Sequence, residues 1–419
     1  MNMSLVTVLG GKKLNGYVKL HGAKNSALPI LAGAIICRGK SVIHNCPSLS
    51  DTVAAIKILE HLGATVEREE DTVTIDSSNL DGFEIPDNLM REMRSSIVFL
   101  GAIIARNKRA ILSSPGGCEL GPRPIDLHLS ALKELGVKIE EDYGLLVCDG
   151  KNGLRGSEIT LSFPSVGATE NIILAASTAE GKTVIHNAAR EPEISDLADF
   201  LNRAGADIQG AGSDRIEIRG VKSLGDTEHT VIPDRIEAAT YLIAAAITGG
   251  KITIQNTLPA HLTPILSNLK TAGCNILVHG KNITLTAPVR LKRIPIIRSL
   301  PYPGFPTDAG SPFIAMLTVA DGSSMFIENI FENRYRVVDE INRMGAKITT
   351  NGRVAVIEGV SGLSGANVQC TDLRGGAALL VAALAAKGTT NIEKIHHIER
   401  GYENIVENLS GLGADIIKH

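Results

Sequence analysis

Residues 61–67 read His61-Leu62-Gly63-Ala64-Thr65-Val66-Glu67, and the phrase returns five times further along the chain. It is ELGVKIE at 134–140, RAGADIQ at 203–209, TAGCNIL at 271–277, RMGAKIT at 343–349 and GLGADII at 411–417. Successive glycines stand 68 to 73 residues apart, so six copies of one unit make up almost the whole chain. Each copy reads as an amphipathic helix stopped by glycine and followed by a strand. Ahead of Gly63, residues Val53, Ile56, Leu59 and Leu62 fall three apart and predict one helical face, with Ser50 or Asp51 as N-cap and Gly63 left-handed at the end. A second phrase also comes six times, an Ala-rich helix ended by Gly or Asn before a strand. Examples are ILAGAIICRGKSVIH at 30–44, LIAAAITGGKITIQ at 242–255 and LVAALAAKGTTNIE at 380–393. A unit is therefore helix, strand, loop, helix, strand, turn, strand.

The sixth unit stops short after Asp415-Ile416-Ile417, and Leu5-Val6-Thr7-Val8 with the following GKKLNGYVKL matches the missing piece. The N-terminal segment is thus expected to close the last unit. That divides the chain into residues 22–232, with repeats one to three, and residues 1–21 plus 233–419, with repeats four to six. Two crossings near Gly22 and Ile232 would join these domains, with a cleft between them.

Composition narrows the function classes. The chain has 419 residues, 42 glycines, no Trp and only fourteen aromatic rings, so Ala, Leu, Ile and Val must fill many similar packing layers. A net charge of −3 gives no basic field for nucleic acid or an anionic membrane. The longest apolar run, Ala377–Ala386, is too short to span a bilayer, and residues 1–20 show no signal-peptide pattern. Six cysteines without a CxxC pair argue against zinc and a disulfide framework, and fit a reducing cytoplasm.

The repeats differ most where the Ala-rich helices begin: HGAKNS (21–26), REMRS (91–95), FPSVG (163–167), PDR (233–235), FPTD (305–308) and CTDLR (370–374). A helix N-terminus offers free N–H donors and a positive dipole end, and four of the six add Lys or Arg, so the set favours an anion site. The loops leading into the second helices carry Arg123, Arg190, Arg334 and Arg400. The longest, residues 113–124, holds three glycines and three prolines with Cys118 at its tip, and has the composition of a lid with a reactive thiol near Arg123. Asp308 and Asp372 are either helix caps or cleft carboxylates able to take a proton from a hydroxyl. No metal constellation or P-loop is present, so phosphate would be handled by cations and backbone amides.

Taken together, GAKNSALPIL (22–31), EMRSSI (92–97), PGGCELGPRPIDLHL (115–129), PSVGATENI (164–172), PDRIEAATYLIAAA (233–246), YPGFPTDAG (302–310), IFENRY (330–335), TDLRGGAAL (371–379) and HIERGYENI (397–405) closely resemble the enolpyruvyl transferase family, in its branch acting on UDP-N-acetylglucosamine. The resemblance implies a two-domain α/β fold, each domain an inside-out α/β barrel (inverse α/β prism) of three repeats. It implies transfer of the enolpyruvyl group of phosphoenolpyruvate to the 3′-hydroxyl of UDP-N-acetylglucosamine, opening peptidoglycan synthesis. No cofactor or metal, nucleic acid or membrane partner is implied. Lys24 and Asn25 would bind phosphoenolpyruvate, Arg123 and Arg400 would join Lys24 around its phosphate, and Arg94 and Arg374 would line the cleft. Cys118 would be the general acid, able to carry a phosphoenolpyruvate-derived adduct and open to alkylation by fosfomycin. Arg123, Pro124, Ile125, Asp126, Leu127, Ser165, Val166, Gly167, Asp308 and Ile330 match the sugar-nucleotide site, with Arg334 and Asp372 as further substrate contacts and Asp308 as base. Phe163 departs from relatives that carry Lys there. Two rivals remain. One is the shikimate-pathway member of the family, disfavoured by PGGC and PDRIEAAT. The other is a DNA-encircling ring, disfavoured by charge and unequal repeats.

Overall fold

The computed structural model describes residues 5–93, 95–113 and 125–419. These divide into two compact units, residues 5–21 with 233–419, and residues 22–232 without the undescribed positions.

Every repeat builds its sheet from the same local signals. In the first, Lys40–His44 and Thr72–Asp76 alternate buried and partly exposed residues, with Ile43, Val73 and Ile75 inward, as a one-sided sheet requires. Thr72–Asp76 runs antiparallel to Lys40–His44 and to Thr65–Glu69, while Thr227–Thr230 lies parallel on the other side of Lys40–His44. The other five sheets among the described residues repeat this order, with one parallel edge and two antiparallel pairings.

Leu5–Leu9 closes the sixth sheet, running antiparallel to Thr389–Glu393 and Asp415–Lys418 with Val6 and Val8 fully buried. The next strand does not stay with it. Asn15–Lys19 lies parallel to Lys251–Gln255 in the fourth sheet. The reason is an exchange of edges. In repeats two, three, five and six the parallel edge strand is the segment just upstream, such as Glu84–Ile85 or Asn367–Gln369. The segment upstream of repeat four, Thr227–Thr230, instead returns to the first sheet, and Asn15–Lys19 fills the place it leaves. Each unit thereby closes on its own three sheets.

The Ala-rich helices lie inside. In the unit holding the termini, Arg235–Ile247, Gly310–Leu317 and Leu373–Ala385 pack on one another and are buried on nearly every face. Small residues permit this closeness. In the other unit Gly101, on the helix Phe99–Asn107, faces the helix Val166–Ala176, and a Cβ at 101 would sit 2.4 Å from the Asn171 carbonyl oxygen. Gly101→Leu would force these backbones apart and cost on the order of 1–3 kcal/mol or more.

The second helices are amphipathic and end as expected, with Gly63, Gly136, Gly205, Gly273, Gly345 and Gly413 all at φ between +90° and +106°. The buried face of Ser50–His61 differs from the expected one. It comprises Ala54, Ala55, Ile58, Leu59 and, just past the helix, Leu62, while Val53 is 43% exposed. At 100° per residue Val53 stands nearly opposite the centre of that stripe. The expected cap is also corrected: Leu49 occupies the N-cap position, and its N–H donates to Thr52 Oγ1 at 3.0 Å. Asp51 is released for another task.

Candidate active site

In the unit holding the termini, the site is built around Asp308. Thr307–Ala309 form a single 3-10 turn before Gly310–Leu317, and the N-cap positions of both are Pro306 and Ala309 rather than Asp308. Its Oδ1 accepts from Arg334 Nη2 at 2.7 Å and its Oδ2 from Arg374 Nη2 at 2.9 Å. Both guanidinium side chains are almost wholly buried, while Asp308 keeps 24% of its side-chain surface. Burial is the largest single influence on Arg374 and works against its charge, but Asp308, Tyr402 and Asp234 together outweigh it and raise the guanidinium above its ordinary value. Among the described residues Arg374 Nη1 is buried without a hydrogen-bond partner of good geometry, although Tyr402 packs against the same guanidinium. A buried, charged donor left unpaired costs roughly 1–3 kcal/mol or more, so an acceptor brought to it is rewarded.

The surroundings fix these groups. Asp372 is the N-cap of Leu373–Ala385, its Oδ1 accepting from the N–H groups of Arg374 and Gly375 at 3.0 Å each. Arg334 Nε donates to Thr307 Oγ1 at 3.2 Å, and Thr307 Oγ1 donates to Glu328 Oε2 at 2.8 Å. Buried Glu328 also accepts at Oε1 from Ser299 Oγ and from the N–H groups of Ile330 and Phe331. One carboxylate so holds the loop carrying Ile330 and, through Thr307, the seat of Arg334. Arg400 follows the one-turn helix His396–Glu399 and is half-buried.

In the other unit Lys24 opens the helix Lys24–Gly33, whose N-terminus no side chain caps. By contrast Ser165, Asp234 and Asp372 cap their own helices, which uses N–H donors that an anion would need. The anion reading of the six helix starts therefore narrows to those left uncapped. Lys24 is buried, and its Nζ lies 3.2 Å from Oδ2 of Asp51, itself 2% exposed. Ile125-Asp126-Leu127 and Ser165-Val166-Gly167, forty residues apart, are brought together by His128. Its Nδ1 lies 2.8 Å from Asn171 Nδ2, and a Cβ on Gly167 would stand 2.9 Å from its Cε1. Burial lowers the His128 pKa to about 4, so the ring is neutral at physiological pH.

Residues 8–409 match the family described as EPSP synthase (3-phosphoshikimate 1-carboxyvinyltransferase). UDP-N-acetylglucosamine 1-carboxyvinyltransferase 2 of Caldanaerobacter subterraneus subsp. tengcongensis is 53% identical over 99% of this chain and 100% of its own. The chain belongs to the EPSP synthase family of carboxyvinyltransferases.

Another member, UDP-N-acetylglucosamine 1-carboxyvinyltransferase 1 of Symbiobacterium thermophilum, is 52% identical over 98% of this chain and 94% of its own. Among solved structures, the enolpyruvyl transferase NikO from Streptomyces tendae superposes with a TM-score of 0.90 at 27% identity over 99% of both chains. EPSP synthase from Acinetobacter baumannii, 20% identical with a TM-score of 0.75 over 99% of this chain and 100% of its own, shares the fold. The two-domain α/β architecture expected from the repeats is that of the family.

In this carboxyvinyltransferase the expected residues Asp308, Arg334, Arg374, Asp372 and Ile330 form one connected cluster, and Lys24 with Asn25 begins an uncapped helix. Cys118, Arg94, Arg123 and Pro124 lie outside the described residues. The other five cysteines are buried, and burial pushes Cys37 up to about 11 and Cys148, Cys274 and Cys370 up to about 12, leaving inert thiols. Asp51, Glu328 and His128 escaped the sequence reading as site-supporting residues. His128 had a signal, since it lies inside the PIDLHL stretch.

Proposed function

We propose that the chain transfers the enolpyruvyl group of phosphoenolpyruvate to the 3′-hydroxyl of UDP-N-acetylglucosamine, with release of phosphate, as the first committed step of peptidoglycan synthesis. The observation that carries this reading is 53% identity, across 99% of the chain, to a relative named for that reaction. The Asp308 cluster supports it locally.

Addition requires a base for the sugar hydroxyl, an acid for C3 and a clamp for the phosphate. Asp308 is the base, and Arg334 and Arg374 maintain it as the carboxylate. The same two guanidiniums weaken it as a base, because they favour its charged form. The incoming carboxylate of phosphoenolpyruvate resolves this conflict: Arg374 Nη1 is open to it, and a second carboxylate shares the guanidiniums with Asp308. Asp308 then regains basicity when phosphoenolpyruvate is bound.

Cys118 protonates C3 as O3′ adds to C2, giving a tetrahedral ketal. Lys24, Arg123 and Arg400 bear the phosphate that leaves when C3 returns its proton and the double bond forms, with Asn25 and Arg94 completing the contacts. An adduct on Cys118 is the covalent alternative. Ile125, Asp126, Leu127, Ser165, Val166, Gly167 and Ile330, with Arg123 and Pro124, seat the sugar nucleotide. Asp372 acts through the helix that presents Arg374. Lys and Arg neutralise the charge throughout, so the chemistry requires no metal or redox cofactor.

The reading places the protein in the cytoplasm, which six cysteines without a CxxC pair support. Among the described residues no helix is long and apolar enough to cross a membrane. Phosphate release from phosphoenolpyruvate, measured with UDP-N-acetylglucosamine, with shikimate 3-phosphate and with neither, tests the proposal. Release that requires UDP-N-acetylglucosamine supports it; release with shikimate 3-phosphate in its place overturns it.

A further inference from the structure

A cationic concavity lies in the unit of residues 22–232, at the end remote from Lys24. A concavity of about 210 Å³ is lined there by Arg38, Arg106, Lys108, Thr178, Lys222 and Ser223 together with apolar side chains. Three of its walls are the segments that follow the inner helices: Ile36 and Arg38 after Lys24–Gly33, Ala105 to Lys108 at the close of Phe99–Asn107, and Thr178 after Val166–Ala176. Lys24 and Ser165–Gly167 stand at the opposite ends of two of these helices. Eleven residues at about 1.5 Å each put roughly 16 Å between the two ends.

Four cations line the cavity and no carboxylate does. Backbone carbonyls account for part of this charge. Arg106 donates to the carbonyls of Cys37, Ser77, Ser78 and Leu80, and Lys108 Nζ donates to Ala105 O at 2.9 Å. The C-terminal dipoles of three helices supply about half a negative charge each, well under half of what four cations need. Burial, and after it the charge on Arg38, lowers both Arg106 and Lys108. Arg38 and Lys222 make no side-chain hydrogen bond or ion pair among the described residues.

The repeats show that this position does not demand a cation. Three residues before the strand that follows each inner helix stand Cys37, Ala179, Thr248, Ala320 and Ala386, and only the second repeat has a cation there, Arg106. Five repeats keep a small residue at that position, while the second carries a half-buried guanidinium bonded to backbone carbonyls, beneath a cavity lined by two cations without a side-chain partner among the described residues.

We infer that this cavity binds a compact phosphate dianion, such as a phosphate monoester or a pyrophosphate group, independently of the reaction proposed above. Arg106 and Lys108 form the fixed floor, Arg38 and Lys222 close over the ligand, and the Ser223 hydroxyl supplies orientation, the Thr178 hydroxyl being held by Ala105 O at 3.2 Å.

Hydrogen exchange of the full chain with and without millimolar pyrophosphate tests the inference, followed in peptides covering residues 34–40, 104–110 and 219–225. Protection should appear in all three, persist in Lys24→Ala, and weaken at least about tenfold in apparent affinity in the Arg38→Gln/Lys222→Gln variant. That double variant should keep its turnover at low phosphate. Lack of protection in the wild type, equal protection in the double variant, or protection abolished by Lys24→Ala would each overturn the site.

Discussion

Asp308 and Arg374, 66 residues apart in sequence, form an ion pair of 2.9 Å in which the arginine is buried and the aspartate is partly open. With Arg334 on its other oxygen, Asp308 both joins two helix starts and offers the exposed face of a carboxylate. Asp308→Asn keeps the shape and removes the base. Turnover should fall by about 10²–10⁴, while the affinity for UDP-N-acetylglucosamine changes by a modest factor. Asp308→Ala should lose turnover similarly and stability as well, because two buried guanidiniums lose their counter-charge, at about 3–5 kcal/mol. Steady-state kinetics and denaturant titration separate the effects, and an Asp308→Asn enzyme with normal kcat would remove Asp308 as the base.

The shared guanidiniums give a second expectation. If phosphoenolpyruvate draws on the arginines that hold Asp308, then Arg374→Lys, which keeps the charge and loses the planar fork, should raise KM for phosphoenolpyruvate about tenfold or more and lower kcat. KM for the sugar nucleotide should move less. Equal effects on both substrates would show that Arg374 serves only to hold the fold.

Lys24 and Asp51 make a buried pair in the other unit. Lys24→Ala should raise KM for phosphoenolpyruvate by about 10–100-fold, the worth of one charge-assisted contact. Asp51→Asn, which leaves the lysine present but less well held, should cost less, within about tenfold. An Asp51→Asn enzyme as impaired as Lys24→Ala would mean that the aspartate itself meets substrate.

How much of this could be read from residues alone depends on how local each signal is. The glycine after every second helix encodes its own stop, because a positive φ is a property of one position, and all six are found there. The destination of Asn15–Lys19 is not local. Parallel pairing with Lys251–Gln255 is decided by which edge the rest of the chain leaves open, and nothing within GYVK records it. Asp51 was legible as a cap by its place near a helix start, but Thr52 meets the Leu49 N–H from inside the helix, and the aspartate is left for Lys24. Likewise Asp308, Arg334 and Arg374 were each visible as candidates, while the fact that one carboxylate holds both guanidiniums appears only when three distant segments are packed together.

The cysteines predict their own chemistry. Five thiols are buried, and burial raises four of them to about 11–12. One equivalent of iodoacetamide at pH 7 should therefore modify Cys118 first, with the others at least about a hundredfold slower. Peptide mass spectrometry reads this directly. Cys118→Ala should block phosphate release, and the pH dependence of alkylation should differ between the free and substrate-bound enzyme, since a general acid next to cations must be shielded to keep its proton. Identical profiles would count against that shielding.

His128 should make stability depend on pH. Its pKa in the folded protein is about 4, below the ordinary histidine value of 6.5, because burial disfavours the charged ring. The unfolded chain then binds a proton that the folded one refuses between those two values. Stability is thus full above pH 6.5 and lost progressively as pH falls toward 4, by up to about 3 kcal/mol. His128→Asn should flatten that part of the profile, at a cost at all pH values from the cavity and the lost contact with Asn171. The same ring explains Gly167: a methyl there would stand 2.9 Å from it, so Gly167→Ala must push the ring or the helix start aside. Since Ser165–Gly167 and Ile125–Leu127 are both assigned to the sugar nucleotide, Gly167→Ala should weaken UDP-N-acetylglucosamine binding more than it weakens phosphoenolpyruvate binding. Calorimetric titration of each ligand would show the difference, and equal losses would mean that His128 and Gly167 secure only the fold.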